Sequence, residues 1–253
     1  MNSMKDEIMK YETIIGESRI EGLQKTLGAK IWPEFMQHDE TVNKHWPELY
    51  TDFLRFQFAL LNHEEIVGIG NALPLHWRKS FADLPDSGLD WAMEKACADC
   101  KRGSNANLLV GIEILIDEKY QNRGISFEML GIMKEIAKAN GMDHLALPVR
   151  PTLKRNYPLI AIADYIHWQN KERLPFDPWL RVHKKAGGEI VGVCKRSMDI
   201  SGSISAWEKW TGLVFPGSGD YIVDKALVPV RIDKKKKIGR YIEPNVWIVH
   251  EIK

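Results

Sequence analysis

The sequence predicts an α+β fold in which helices flank a sheet of mixed strand direction. Three observations carry this. Residues 55–73 read as two apolar strands joined by the turn-like Asn62-His-Glu-Glu65. A strand, a glycine-bearing loop and a helix then follow one another over 107–140. A second strand at 144–150 closes a strand–helix–strand crossover, and such a connection requires parallel pairing.

Each element has its own signal. Ile20, Leu23, Leu27 and Ile31 recur at helical spacing, and Pro33 stops that helix. Trp46, Leu49, Tyr50 and Phe53 predict a second helix over 43–54. The hairpin follows, with strands 55–61 and 66–73. Leu89, Met93, Ala96, Cys97 and Cys100 trace another amphipathic helix, closed at Lys101-Arg-Gly103. The apolar run 107–116 is the next strand. Met129, Leu130, Ile132, Met133, Ile136 and Ala137 mark the helix 125–140, which Asn140-Gly141 terminates. A helix is expected over 160–169. Asp177, Pro178 and Gly187-Gly188 bracket another, by an acidic cap, a proline at the first helical position and a glycine stop. The remainder reads as strands with one short helix over 204–210, and Lys234–Lys237 as a solvated turn between the last strands. No internal repeat or linker appears, so a single domain spanning 1–253 is expected.

Composition narrows the function classes. Of 253 residues, 44% are hydrophobic and 27% charged, with a formal net charge of +1, so no basic surface for nucleic acid is expected. No run of about 18 apolar residues is present to cross a membrane. Met1–Met9 lacks the apolar core and cleavage site of a secretory signal. Three cysteines do not make a disulfide framework. A cytoplasmic protein is the expectation. Cys97-Ala-Asp-Cys100 lies late in a helix rather than at its start, and no second cysteine pair supplies further ligands, so neither a redox pair nor a metal site is expected. The nine tryptophans fit an aromatic core or, alternatively, an apolar substrate channel.

The chemistry concentrates at Tyr120-Gln-Asn-Arg-Gly-Ile-Ser126, where a strand delivers the chain into a helix. The first-turn N–H groups of a helix and the positive end of its dipole make an anion site, and Gly124 allows close backbone approach. A phosphate-bearing cofactor is implied. A dinucleotide fold is disfavoured, since the turn holds one glycine and the next strand ends without an acidic residue. No Gly-Lys-Ser/Thr triplet marks a nucleoside triphosphate loop. Glu113 is the single carboxylate inside the apolar run 108–116, either a functional base or a hydrogen-bonded structural residue.

Order and motif together resemble the GNAT superfamily of acyl-CoA-dependent N-acyltransferases. Gln121-Asn-Arg-Gly124-Ile-Ser126 is similar to that family's pyrophosphate loop, Gln/Arg-x-x-Gly-x-Gly/Ala, with Ser at the last position. Ile114–Gln121 keeps the spacing from the fourth strand, and Val182-His-Lys-Lys-Ala-Gly187-Gly188 stands where the family has Leu-Tyr-x-x-x-Gly-Phe. The resemblance covers roughly 50–195, with an N-terminal helical extension over 1–50 and a mostly β extension over 196–253. It implies a mixed, mostly antiparallel central sheet and an acyl-CoA co-substrate, most simply acetyl-CoA. The diphosphate would sit on the amides of Asn122, Arg123, Gly124, Ile125 and Ser126 with Gln121 beside them, and the pantetheine arm against main chain at Leu115 and Ile116. Glu113 would be the base, and His183, standing where relatives carry Tyr, the acid. Direct transfer to a small-molecule or peptide amine follows, and a homodimer is compatible. Two alternatives stand beside it: a non-catalytic acyl-CoA-binding module, and an enzyme using a hydroxyl acceptor or a longer acyl chain. Arg150, Lys154 and Arg155, at the end of strand 144–150, either receive an anion or are solvated loop charges.

Overall fold

The computed structural model describes residues 11–252, so the Met1–Met9 segment lies outside the described residues. In chain order the elements are β1 (Glu12–Ile15), α1 (Arg19–Ile31), α2 (Glu40–His45), β2 (Phe58–Asn62), β3 (Glu65–Leu75), α3 (Gly88–Lys101), β4 (Leu108–Ile116), α4 (Ile125–Ala139), β5 (His144–Val149), α5 (Ile162–Tyr165), α6 (Pro178–Lys185), β6 (Glu189–Ser203), α7 (Ile204–Thr211), β7 (Gly219–Tyr221), β8 (Val230–Asp233) and β9 (Ile238–Glu251). One nine-stranded sheet runs through them in the order β1-β2-β3-β4-β5-β9-β8-β7, with β6 on the other edge of β9. Among the pairings of named strands, only β4 with β5 is parallel, so the α+β class and the mostly antiparallel mixed sheet are as the sequence implied.

The departures from the sequence reading have local causes. The helix expected over 43–54 is broken. Pro47 cannot continue α2, and the chain tightens into 3-10 turns at Pro47–Tyr50 and Leu54–Phe56. That second turn takes Arg55 and Phe56 out of the expected strand. The helix expected over 160–169 shortens to Ile162–Tyr165, because residues after it turn back to a bridge between Gln169 and Pro175. The terminal segments are more than extensions. β1 pairs with β2, and β9 is the spine of the second half of the sheet, its late residues beside β5 and its early ones beside β8. Lys234–Lys237 does form the turn between β8 and β9.

Two apolar clusters result. The larger packs α1, α3 and α4 against β2–β5, and the smaller gathers Phe35, Trp207, Phe215 and Tyr241 at the far end. Trp207 and Trp247 are buried in these cores, which favours the core reading for those two. Cys97, Cys100 and Cys194 are free thiols.

Candidate active site

The loop and its strand form one half of the site. β4 continues to Ile116 and β5 to Val149, but their pairing stops at Val110 opposite Ala146. Beyond that point one edge of β4 has no strand partner among the described residues, and Leu115 and Ile116 lie on that stretch. A bulge opposite Asn71 and Ala72 adds a residue to β4 where the strands part. Gly111 stands at the fork, where a Cβ would come within 2.4 Å of the Met133 sulfur and 2.7 Å of Leu147. Only glycine lets α4 and both strands meet there.

From β4 the chain passes through a 3-10 turn, Glu118–Tyr120, into the loop. Asn122 (φ 61) and Gly124 (φ 80) are both left-handed, a backbone that turns successive N–H groups to one side, as in anion-binding nests. Among the described residues, no acceptor takes the N–H groups of Asn122 through Ser126, and the first such bond in α4 runs from Phe127 to the Gly124 carbonyl. Space around the Gly124 Cα is open. The Arg123 guanidinium lies 5.5 Å from the Tyr120 ring centroid, so it is held over the loop. Gln121 donates its side-chain amide to the Ile116 carbonyl at 3.3 Å, which ties the loop to the end of β4.

Glu113 forms the other half. Its side chain is buried and accepts from Trp32 Nε1 at 2.6 Å, Asn71 Nδ2 at 2.6 Å and Gln24 Nε2 at 3.2 Å. Tyr50 donates to the Asn71 carbonyl oxygen at 3.1 Å and so fixes which way that amide points. All three donors to Glu113 are neutral. Burial therefore pushes its carboxyl above the usual carboxylate range, although the three hydrogen bonds oppose this. Trp32 also borders Arg150, whose guanidinium lies 5.9 Å from the indole centroid. Arg150 is committed elsewhere, with Nε 2.9 Å from Glu243 and a bond to the Lys225 carbonyl.

The two halves lie on opposite faces of the sheet. A Cβ on Gly68 would touch Met129 of α4 at 3.2 Å, so Gly68 faces α4. Side chains alternate along β3, so Asn71 and its partner Glu113 face the other side, where α1 packs. His183 belongs to the α4 side, since Lys134 of α4 donates to the Ala186 carbonyl at the end of α6. Its ring is fully buried, with Nδ1 2.9 Å from His250 Nε2, and burial with the neighbouring charges holds its pKa well below the ordinary histidine value. The structure therefore does not bring together the Glu113 and His183 that the sequence paired as base and acid. A hollow of about 370 Å³ near the His183–His250 pair is lined by Lys134, Glu135, Ala186, Gly187, Glu251 and Ile252. It sits beside the C-terminal half of α4, away from the loop and from Glu113.

The basic residues after β5 do not form one solvated set. Arg150 is paired with Glu243, and Lys154 is buried on the carbonyls of Tyr157 and Leu227, where desolvation lowers it to about 8. Arg155 alone is exposed. Gln24, Trp32, Tyr50 and Asn71 were missed. No local motif announces them, and a polar residue inside the apolar strand 66–73 was the one signal available, at Asn71.

No family model matches the chain. It is 30% identical over 253 residues to the arginine N-acetyltransferase avaD of Aspergillus versicolor, an alignment covering 88% of this chain and 86% of that protein. Among solved structures it resembles the loading GNATL domain of CurA from Lyngbya majuscula, with a TM-score of 0.65 and 16% identity over 96% of this chain and 98% of that one. It also resembles the GphF GNAT-like decarboxylase in complex with isobutyryl-CoA, with a TM-score of 0.57 and 15% identity over 96% and 100% of the two chains. Identities this low speak for the fold alone.

Proposed function

The chain belongs to the GNAT superfamily of acyl-CoA-dependent N-acyltransferases, and we propose that it transfers acetyl from acetyl-CoA to an amine of arginine or of a small molecule or peptide built on arginine. The observation that carries the acceptor is the 30% identity, along 88% of the chain, to a protein named for arginine N-acetylation. The chemistry at Glu113 agrees with a cationic acceptor. A buried carboxylate whose donors are all neutral retains an unmatched negative charge, and an ammonium group supplies the match.

In this reading Glu113 is the base. Its oxygens already accept from three side chains, which leaves too little lone-pair capacity for a bidentate guanidinium but enough for one proton. A pKa above the usual carboxylate range improves the match to an ammonium donor. The diphosphate rests on the N–H groups of Asn122 through Ser126, with Gln121 and Arg123 at its rim, and the pantetheine arm follows the free edge of β4 past Leu115 and Ile116. The parting of β4 and β5 then lets the thioester reach the acceptor from the α4 side while the base stands on the α1 side. His183 has no place in this scheme, and the thiolate, with a free pKa of about 8.5 by analogy with cysteine, departs without a dedicated acid. The three free thiols support a reducing, cytoplasmic setting, and no described helix is long and apolar enough to cross a membrane.

The deciding experiment follows CoA thiol release with acetyl-CoA and a panel of arginine, agmatine, lysine, ornithine and an arylalkylamine, with product masses. Turnover of arginine with gain of one acetyl group is expected. Turnover confined to amines lacking a guanidine overturns the acceptor assignment.

A further inference from the structure

Away from this site, α2 and α3 enclose a second group of chemically active side chains. His45 is the last residue of α2, and Pro47 forces the 3-10 turn that carries Glu48 back beside it. Cys97 faces them from α3. One ligand atom from each of the three lies within 4.8 Å of the others. His45 is 7% exposed and Cys97 4%, while the Glu48 side chain keeps 25% of its surface and leaves a path to solvent.

His45 Nδ1 is buried and has no hydrogen-bond partner. Its nearest acceptor, Glu48 Oε1, is 3.6 Å away, too far for a hydrogen bond. A buried nitrogen left without a partner costs free energy unless something binds it. The same 3.6 Å is close to the edge of a tetrahedron of ligands about 2.0–2.3 Å from a central zinc. We propose that His45 Nδ1, Cys97 Sγ and a Glu48 carboxylate oxygen bind one zinc-like divalent cation, with the fourth position open. Imidazole, thiolate and carboxylate together suit a borderline-soft ion rather than calcium or magnesium. On coordination the Cys97 thiol passes its proton to solvent. The ion would join the Pro47–Tyr50 turn to α3. Tyr50, two residues beyond Glu48, is the residue that orients Asn71 toward Glu113.

The test loads the full-length protein anaerobically with zinc, removes loose metal by exchange, and measures retained zinc by elemental analysis. Cobalt loading adds a spectroscopic signature, the near-ultraviolet thiolate-to-cobalt charge-transfer band. One zinc per chain is expected for the wild type and for Cys100→Ser, which removes the exposed thiol as a competing site. Cys97→Ser and His45→Asn should each lose the zinc, and Cys97→Ser the cobalt band, with circular dichroism confirming that they fold. If Cys97→Ser does not fold, the cobalt band in Cys100→Ser and zinc loss in Glu48→Gln decide. Wild type that retains no zinc, or Cys97→Ser and His45→Asn that retain it fully, overturns the assignment.

Discussion

In the proposed reaction the two faces of the β3–β4 region meet their ligands by different physical means. On the α4 face the chain offers backbone: N–H groups turned outward by two left-handed residues at the start of a helix. On the α1 face it offers one buried carboxylate held by four side chains from three elements, with Gln24, Trp32 and Asn71 on Glu113 and Tyr50 behind Asn71. In that proposal backbone grips a group common to every acyl-CoA, whereas side chains fix the chemistry of one reaction. Substitutions on the α4 face should therefore act on cofactor affinity, and those on the α1 face on turnover and its pH dependence.

The largest separation is expected from Glu113→Gln. Losing a positioned base costs about 10²–10⁴-fold in kcat/KM, while the CoA dissociation constant by calorimetry stays at its wild-type value. The pH profile is a second reading. As the proposed base Glu113 would act ionised, and burial raises its pKa, so activity should rise with pH along a limb that lies above the ordinary carboxylate value of about 4.3. Glu113→Gln removes that limb. A variant that loses CoA binding in proportion to activity would dissolve the distinction between the faces.

Gly124→Val probes the other face. Nothing within 4 Å would meet the new Cβ, so the cost is conformational, about 1–3 kcal/mol for a non-glycine residue held left-handed. A loop relaxed to escape that strain must regain it on binding, which predicts CoA affinity weaker by about tenfold. Turnover at saturating acetyl-CoA should hardly change.

The same difference governs what could be read from the sequence. The loop, its strand and its helix are contiguous, so strand pattern, glycine and helix periodicity identify them within the single stretch 108–139. Glu113 stood out because a charge in an apolar strand requires explanation. Its partners did not, since Gln24 and Trp32 sit in or beside an ordinary amphipathic helix, and only the packing of α1 on the sheet brings them to β4. The pairing of the terminal segments was not legible for a related reason. The place of β9 between β5 and β6 is a long-range pairing that no local pattern encodes. The Pro47 break, by contrast, was present in the sequence but outweighed by the spacing of Trp46, Leu49, Tyr50 and Phe53.

Trp32→Phe should give a smaller, more diagnostic effect on the α1 face. It removes the 2.6 Å donor to Glu113 while keeping an aromatic ring of lesser size. A hydrogen bond to a charged group is worth about 1.5–3 kcal/mol. Its loss disfavours the ionised carboxylate, so the pKa rises further and the acid limb moves to higher pH. Activity should fall about tenfold near neutrality and recover as pH increases. A loss of activity equal at all pH values would show instead that Trp32 shapes the acceptor's pocket rather than tuning the base.

The smallest effect on catalysis is expected at His183, and it is the sharpest test of the division between faces. The sequence suggested an acid there because relatives carry tyrosine at the corresponding place. In the fold the ring contacts His250 on the α4 side, and its Nε2 has no partner. A group on the far face that shares no partner with Glu113 should act independently of it. His183→Phe is therefore expected to keep kcat and both limbs of the pH profile within about twofold. The unpaired His250 nitrogen should instead lower stability by about 1–3 kcal/mol, read as a lower denaturant midpoint. Loss of the alkaline limb in a folded His183→Phe variant would restore the histidine as proton donor. It would also require α6 to move toward the parted strands during turnover, so that the α4 face contributes chemistry as well as grip.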